Sequence, residues 1–238
     1  MRVFAATAAL CLVLTAMPLP AAGADVTVPE TYGDAMRWYE KAAEAGHAPA
    51  QYYLGQIYER GLRGERDYTA AARWYRKAAE QGYLEAQMRL ADMYYRGLGV
   101  LRDAAEAARW YRKAAEAGSA EAQYNLALLY DRGRGVERDM KRAAELYEQA
   151  ADGGVIEAWV ALSVLYASGM GVEADPVRAL MWLEMATAAG VITDPAFREA
   201  LTAGMSEQEQ AEAKRLAFER LQRNPAAQPS PIEPPARP

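Results

Sequence analysis

Cysteine and histidine are almost absent from this chain of 238 residues, which has one of each, Cys11 and His47. Thiolates and imidazoles are common ligands of zinc and common nucleophiles and bases of hydrolytic enzymes. A lone histidine excludes a metal site built on several histidines, and His47, which directly follows Gly46, is more typical of a surface turn. We therefore predict no metal site and no cofactor.

An excess of basic residues is missing as well. The chain has 27 lysines and arginines against 32 aspartates and glutamates, and its formal net charge is -5. Binding to nucleic acid or to an anionic membrane needs clustered basic charge, so the composition predicts neither partner. With 52% hydrophobic and 25% charged residues, the chain has the composition of an ordinary protein that folds around a core.

The first 24 residues carry a single charge, and residues 3–17 are almost wholly apolar. This layout is typical of a secretory signal peptide, and we expect cleavage after Ala24. A membrane anchor is the alternative, but the apolar run is shorter than the roughly 20 residues that span a bilayer, and Pro18 and Pro20 close it. The mature protein is then periplasmic or secreted, without stable insertion in a membrane. Because Cys11 is removed with the signal, no cysteine remains for a disulfide.

A repeat of 36 residues organises the rest of the chain. Each unit contains two segments with apolar residues at helical spacing, which predict a pair of helices, A and B. The repeat is marked by one glycine that returns through four complete units without insertion or deletion, at Gly46, Gly82, Gly118, Gly154 and Gly190.

Helix A is marked by alanine, leucine and tyrosine spaced by four, as in Ala86, Leu90 and Tyr94, which therefore share one face. A glycine three residues later predicts the end of helix A, because glycine adopts the left-handed conformation without a Cβ clash. An aspartate then predicts the start of helix B by accepting hydrogen bonds from its free N–H groups. These aspartates are Asp67, Asp103, Asp139 and Asp175.

Helix B carries large rings among alanines, as in Trp110, Tyr111 and Ala114, and an extra helix B with Trp38 and Tyr39 precedes the first full unit. Large and small side chains in alternation let neighbouring helices interlock. The predicted organisation is a signal peptide at 1–24, a half repeat at 25–45, repeats at 46–81, 82–117, 118–153 and 154–189, a capping segment at 190–223, and a proline-rich, disordered tail at 224–238.

The glycine-rich and acidic motifs do not indicate catalysis. The segment Gly97-Leu98-Gly99 lies between two predicted helices, and it lacks the lysine and the serine or threonine of a phosphate-binding loop. The recurring aspartates share one register, which is typical of helix caps and not of a catalytic pair of carboxylates. We therefore predict that the chain is not an enzyme.

Within the repeat, the pattern Ala-x-x-x-Leu-Gly/Ala-x-x-Tyr-x-x-Gly-x-Gly-Val-x-x-Asp is followed by Ala-x-x-Trp-Tyr-x-x-Ala-Ala, most clearly over residues 86–115 and 122–151. This pattern resembles the Sel-1-like repeat, a relative of the tetratricopeptide repeat, over about residues 32–190. The resemblance implies an all-α fold, a right-handed α/α superhelical solenoid, and an adaptor that binds other proteins. Exported bacterial relatives are associated with envelope regulation or host contact. Unit one departs from the pattern with Gly61-Leu62-Arg63-Gly64, so its turn is expected to follow a different path.

By analogy with tetratricopeptide repeats, helix A lines the concave side, and its positions that are not used for packing face the groove. We expect another protein or a peptide to bind there, because tyrosine, methionine and arginine are enriched at interfaces. The predicted partner-binding residues are Tyr52, Gln56, Glu59 and Arg60 in unit one, Met88, Asp92, Tyr95 and Arg96 in unit two, and Tyr124, Leu128, Asp131 and Arg132 in unit three. The same positions in unit four form an apolar patch that needs a cover, namely Val160, Val164, Ala167 and Ser168.

Three alternatives stay open. The arginines Arg60, Arg96 and Arg132 could simply complement the negative end of the helix dipole. Some cysteine-rich members of the family are linked to penicillin binding or hydrolysis, so an enzyme acting on β-lactams or cell-wall material is a second hypothesis, which the missing cysteines weaken. A self-assembling structural solenoid is the third hypothesis, and a capping helix after Ser206 argues against open-ended stacking.

Overall fold

The computed structural model describes residues 32–62 and 64–223, and within these ranges every regular element is an α-helix. The predicted signal peptide and the proline-rich tail lie outside the described residues. The all-α repeat fold is confirmed. The helices are α1 (Tyr32–Glu44), α2 (Ala48–Arg60), α3 (Tyr68–Glu80), α4 (Leu84–Arg96), α5 (Ala104–Glu116), α6 (Ala120–Arg132), α7 (Met140–Asp152), α8 (Ile156–Ser168), α9 (Pro176–Ala188), α10 (Pro195–Thr202) and α11 (Glu207–Arg223).

The helices pack in chain order as helix A and helix B of successive units. Helix α1 is the extra helix B, the pairs α2/α3, α4/α5, α6/α7 and α8/α9 are the four units, and each helix packs against the next. The core is continuous from α3 to α11 and consists largely of alanines, leucines and aromatic rings of both helices. The last helix, α11, does not continue the alternation, because it packs back on α9.

The predicted helix boundaries are confirmed by the backbone. Helices A end at a glycine in the left-handed conformation, such as Gly133 with φ of 61°. Helices B begin at an aspartate whose carboxylate accepts from a backbone N–H in the first turn, as Asp139 does from Arg142 N at 2.9 Å. Each aspartate also donates its own N–H to the preceding tyrosine carbonyl, for example Asp139 N to Tyr130 O at 3.1 Å. One short turn therefore joins the two helices of a unit.

A buried donor ties each helix A to the helix B before it. Gln51 Nε2 donates to Ala43 O at 3.1 Å, and Gln87 Nε2 donates to Ala79 O at 3.2 Å. In unit four a tryptophan takes this position, and Trp159 Nε1 donates to Ala151 O at 3.2 Å. These carbonyls belong to the last turns of helices B, where no N–H of the same helix is available to bond them.

The recurring tyrosine of helix A makes a second bond between units. Tyr94 Oη accepts from Arg76 Nη2 at 2.5 Å, and Tyr130 Oη accepts from Arg112 Nη2 at 3.1 Å. Arg76 is therefore half-buried, although its place on helix B indicates a fully solvated side chain. In unit four the tyrosine instead donates to Glu148, so the bond persists although the charge of its partner is reversed.

The side-chain oxygen of Gln87 is buried without a hydrogen-bond donor, and the equivalent residue of the preceding unit shows how a donor can be supplied. Gln51 Oε1 accepts from Gln81 Nε2 at 2.7 Å, whereas Gln87 Oε1, one repeat later, has no hydrogen-bond partner. The residue that corresponds to Gln81 is Ala117. We expect Ala117→Gln to raise the free energy of unfolding by about 1 kcal/mol, because it satisfies a buried acceptor. Urea denaturation measures the gain, and no gain should remain in a Gln87→Met background if this bond is its source.

The C-terminal segment forms the cap that the sequence predicts. Ser206 N donates to Glu209 Oε2 at 2.8 Å, and Glu209 N donates to Ser206 Oγ at 3.3 Å, which is a complete capping box. Helix α11 then buries Ala213 in a small cluster with Leu180 and Leu183 of α9. The capping segment thus covers part of the last repeat.

Candidate functional site

The twelve predicted partner-binding residues lie along α2, α4 and α6, and none of them is fully buried. The expectation that these positions take no part in packing is wrong for five of them, which pack against the core: Tyr52, Met88, Tyr95, Tyr124 and Leu128. We call these twelve residues the helix A surface. The three arginines are exposed and form the last residue of each helix, while the other nine side chains are half-buried. The surface is therefore accessible, although its aromatic and aliphatic side chains are partly buried between the helices.

The ends of helices A are capped by other arginines than the three predicted for binding. Arg102 Nε donates to Tyr95 O at 3.1 Å, and Arg138 Nε donates to Asp131 O at 2.8 Å. Arg96 instead pairs with Asp92 of its own helix at 2.8 Å. Within the described residues, no ion pair or hydrogen bond holds the guanidinium of Arg60 or Arg132.

In unit one the surface is a hydrogen-bonded polar cluster. Gln56 Nε2 donates to Tyr52 Oη at 2.8 Å, and Tyr75 of helix B donates its hydroxyl to Glu59 Oε2 at 2.5 Å. The ring of Tyr52 lies against Tyr75 and Tyr83, with ring centres 5.6 and 5.1 Å apart. Burial, and then the hydrogen bond to Glu59, raises the pKa of Tyr75 far above its ordinary value. The hydroxyl therefore stays protonated and acts as a donor.

Buried tyrosines occupy the same position of helix B in the next two units. Burial, with the nearby charge of Asp92 as the second cause, raises the pKa of Tyr111. Burial, with the charge of Asp131 as the second cause, raises the pKa of Tyr147. A buried tyrosine of helix B thus lies near an acidic residue of the helix A surface in three successive units. Such protonated hydroxyls are neither nucleophiles nor bases at neutral pH.

Sequence reasoning missed these tyrosines and also Arg89. Arg89 lies on α4, close to Tyr52 and Glu59 of α2, and the charge of Glu59 favours its charged form. Arg134 makes a similar link in the next unit, since its Nη1 donates to Tyr95 Oη at 2.6 Å. The sequence did contain a signal for Arg89, because this residue directly follows Met88, which the 36-residue register places on the helix A surface. The surface is therefore bridged between units by arginines.

The apolar patch of unit four remains partly open. Val160 and Ala167 are half-buried, while Val164 is 41% exposed. Ser168 is exposed, and its hydroxyl donates to Val164 O at 2.8 Å within the same helix. The segment after Gly190 packs on α9, so it does not cover Val164.

Metal-binding clusters and membrane-spanning helices are not found among the described residues. No group of three or more histidines, cysteines, aspartates or glutamates in this part of the chain has a geometry that could hold a metal ion. His47 is exposed and makes no side-chain cap for α2. Among the described helices none combines the length and the apolar character that crossing a bilayer requires.

Comparisons with known proteins identify the repeat family and agree with the fold. A family model, the Sel1 repeat, matches residues 28–47, 48–83, 84–119, 120–155 and 157–191. The crystal structure of a Sel1 repeat protein from Oxalobacter formigenes is similar, with 30% sequence identity, a TM-score of 0.65, and coverage of 81% of this chain and 80% of that chain. The search of curated proteins gave no match.

A second solved structure is c5321, a protective antigen present in uropathogenic Escherichia coli strains and displaying an SLR fold. It is 28% identical, with a TM-score of 0.52, and the match covers 84% of this chain. The chain spans about half of that protein, since 51% of it is covered.

Proposed function

Because the chain belongs to the Sel1 repeat family, whose members generally mediate protein–protein interactions, we propose that it is an exported adaptor that binds a partner protein or peptide on the helix A surface. The Sel1 repeat scaffold is typically non-enzymatic, and we propose that this chain, too, acts by binding. The proposal rests on one observation. An exposed arginine ends each of three successive helices A, and Arg60 and Arg132 have no ion pair in the described part of the chain.

The chemistry of the helix A surface favours a peptide with acidic groups. Arginine can hold a carboxylate through two parallel hydrogen bonds, while half-buried Tyr52, Met88 and Tyr124 supply apolar contact area. Glu59 accepts a hydrogen bond from the hydroxyl of Tyr75, and Asp92 pairs with Arg96. These carboxylates therefore compete less with a ligand for the free guanidinium groups.

Replacing Arg60, Arg96 and Arg132 by glutamate is expected to abolish capture of the partner while the fold survives. Charges at exposed helix ends contribute only about 0.3 to 1 kcal/mol each, so the melting temperature should fall little. The measurement is cross-linking of the purified wild-type and variant proteins to extracts of the cell envelope. Thermal melts are recorded for this variant and for the control variant described next.

The matched control replaces Arg66, Arg102 and Arg138 by glutamate, which makes the same change in charge. Arg102 and Arg138 cap helices A, so this variant should melt earlier and still bind. Binding that survives in the first variant and disappears in the second would place the interface elsewhere, with the apolar patch of unit four as the next candidate.

Export is the other part of the proposal. The apolar segment that precedes Asp25 has the layout of a signal peptide. We expect the purified native protein to begin at Asp25 and to fractionate with the periplasm or the medium. N-terminal sequencing checks this expectation, and a cytoplasmic protein that begins at Met1 would contradict it. A role in envelope regulation or host contact belongs to the same proposal.

A further inference from the structure

We propose a second interaction surface on helices B, formed by Arg73, Lys77, Arg109 and Lys113, that docks an acidic α-helix of a partner protein. We call these four residues the helix B surface. They belong to a sequence of ten residues that occurs twice without change, at 71–80 and 107–116. All four side chains are exposed. The structure therefore repeats one basic pattern on the helices B of two successive units.

The charge of this region opposes the charge of the whole chain. Helices α3 and α5 together hold six basic and three acidic residues, whereas the chain carries a net charge of -5. Arg76 and Arg112 are engaged by the tyrosine hydroxyls of the next unit, which leaves the four residues of the helix B surface facing solvent. Arg109 pairs with Glu106, but an exposed pair of this kind contributes little and can exchange partners.

Aromatic rings hold the two lysines in place. Lys77 Nζ lies 4.1 Å from the centre of the Trp74 ring, and Lys113 Nζ lies 4.2 Å from the centre of the Trp110 ring. A cation over an indole face is attracted by the ring, so less lysine freedom is lost when a partner binds. Arginine and lysine lie one helical turn apart on each helix, and the same pair returns one repeat later.

The kind of partner is inferred from unit four, where a helix of this chain packs on the same side of helix B. There, Trp182 occupies the register of Trp74 and Trp110, and Arg220 of α11 lies over it with Cζ 4.4 Å from the ring centre. The positions of Arg73 and Lys77 are taken by Met181 and Met185, which are buried beside Leu216 of α11. A helix therefore docks on helix B in unit four through apolar contacts, and units one and two present the same side with cations.

An anionic membrane fits this surface less well. Glu80 and Glu116 follow the two lysines by three residues and are exposed on the same helices. A membrane surface of uniform negative charge would repel these glutamates, whereas a helix can place its carboxylates opposite the four cations and leave the glutamates in solvent. The surface is therefore assigned to a protein helix.

The probe is a synthetic alanine-rich helical peptide with glutamates along one face, compared with the same peptide carrying glutamines. Binding is followed through the indole N–H signals of the five tryptophans by NMR of isotope-labelled protein. We expect the glutamate peptide to shift the signals of Trp74 and Trp110 and to leave the fully buried Trp159 unmoved. Replacing all four residues of the helix B surface by glutamine should weaken binding about tenfold or more.

A matched control replaces Lys141, Arg142, Lys214 and Arg215 by glutamine, which removes the same charge from other exposed positions. It should bind the peptide normally, and equal weakening in both variants would overturn the proposal. If the fourfold variant folds poorly, Arg73→Gln with Arg109→Gln keeps both lysine–tryptophan contacts and should still weaken binding.

The test also separates this surface from other ways to bind acidic groups. The variant with glutamate at Arg60, Arg96 and Arg132 should keep the shifts of Trp74 and Trp110, because the helix A surface is not involved. Unmoved indole signals with the wild-type protein would overturn the proposal. A second result would also overturn it: the wild-type protein sediments with phosphatidylglycerol vesicles, the fourfold variant does not, and the peptide does not bind.

Discussion

Trp159→Ala is expected to lower the free energy of unfolding by about 3 to 5 kcal/mol, the largest effect of any single change considered for this chain. The side chain of Trp159 is fully buried in the main core, so its removal leaves a cavity at the junction of units three and four. It also removes the donor to Ala151 O, a carbonyl near the end of α7. Urea denaturation followed by circular dichroism measures the shift of the midpoint.

Two further variants separate the cavity from the hydrogen bond. Trp159→Gln restores an amide donor of the kind that Gln87 provides in unit two, and it should recover about 1 kcal/mol relative to alanine. Trp159→Phe keeps most of the buried ring and loses the N–H, so its cost should be much smaller than that of alanine. A phenylalanine variant as unstable as the alanine variant would mean that the carbonyl contact, and not ring packing, stabilises the junction.

This tryptophan illustrates what sequence reasoning could and could not reach. The 36-residue register predicts that helices A and B alternate, and their ends follow from local rules for glycine and aspartate that act within a few residues. The role of Trp159 depends on a contact between units. In the sequence it looks like an exception, because the equivalent residues are Gln51, Gln87 and Gln123. Only the structure shows that the indole and the amides donate to equivalent carbonyls, each in the preceding helix B.

The candidate site was predictable to the same depth. Periodicity identifies positions of helix A that are not fully buried, and the twelve predicted residues are exposed or half-buried. It does not show that five of them, Tyr52, Met88, Tyr95, Tyr124 and Leu128, pack against the core. Periodicity does not say how far a long side chain from another helix reaches. The hydroxyl of Tyr75 and the guanidinium of Arg89 enter the surface from α3 and α4, so their roles depend on how neighbouring helices pack.

Net charge concealed the second surface for a related reason. A net charge of -5 argues against a basic partner-binding region only when the charges are mixed evenly. Here the repeat copies Arg73 and Lys77 as Arg109 and Lys113 on the helix B of the next unit. A repeat thus multiplies a local basic pattern that total composition does not reveal.

Gly135→Ala is expected to lower the free energy of unfolding by about 3 kcal/mol, because it combines backbone strain with a steric clash between units. The residue has φ of 71°, and an added Cβ would lie 2.2 Å from the carbonyl carbon of Ala104. Ala104 is the first residue of helix α5 in the preceding unit. The turn of unit three can therefore rest on unit two only if it has no side chain at this point.

The same contact recurs in units two and four. A Cβ at Gly99 would lie 2.1 Å from Tyr68 O, and a Cβ at Gly171 would lie 2.2 Å from Met140 O. Unit one has Gly64 in the corresponding region, with φ of 141° and no atom within 4 Å of an added Cβ. The second glycine of the Gly-x-Gly-Val turn is therefore explained by stacking of the repeats.

Gly118→Ala is the control that isolates the contact between units. Gly118 also has a positive φ, 91°, but an added Cβ would meet nothing within 4 Å. Its cost should be limited to the backbone strain of about 1 to 2 kcal/mol. Chemical denaturation of both variants measures the difference, which is the free energy of the clash between the turn and α5. Equal losses would mean that the turn can move away from α5 without cost, and stacking would then not require glycine at this position.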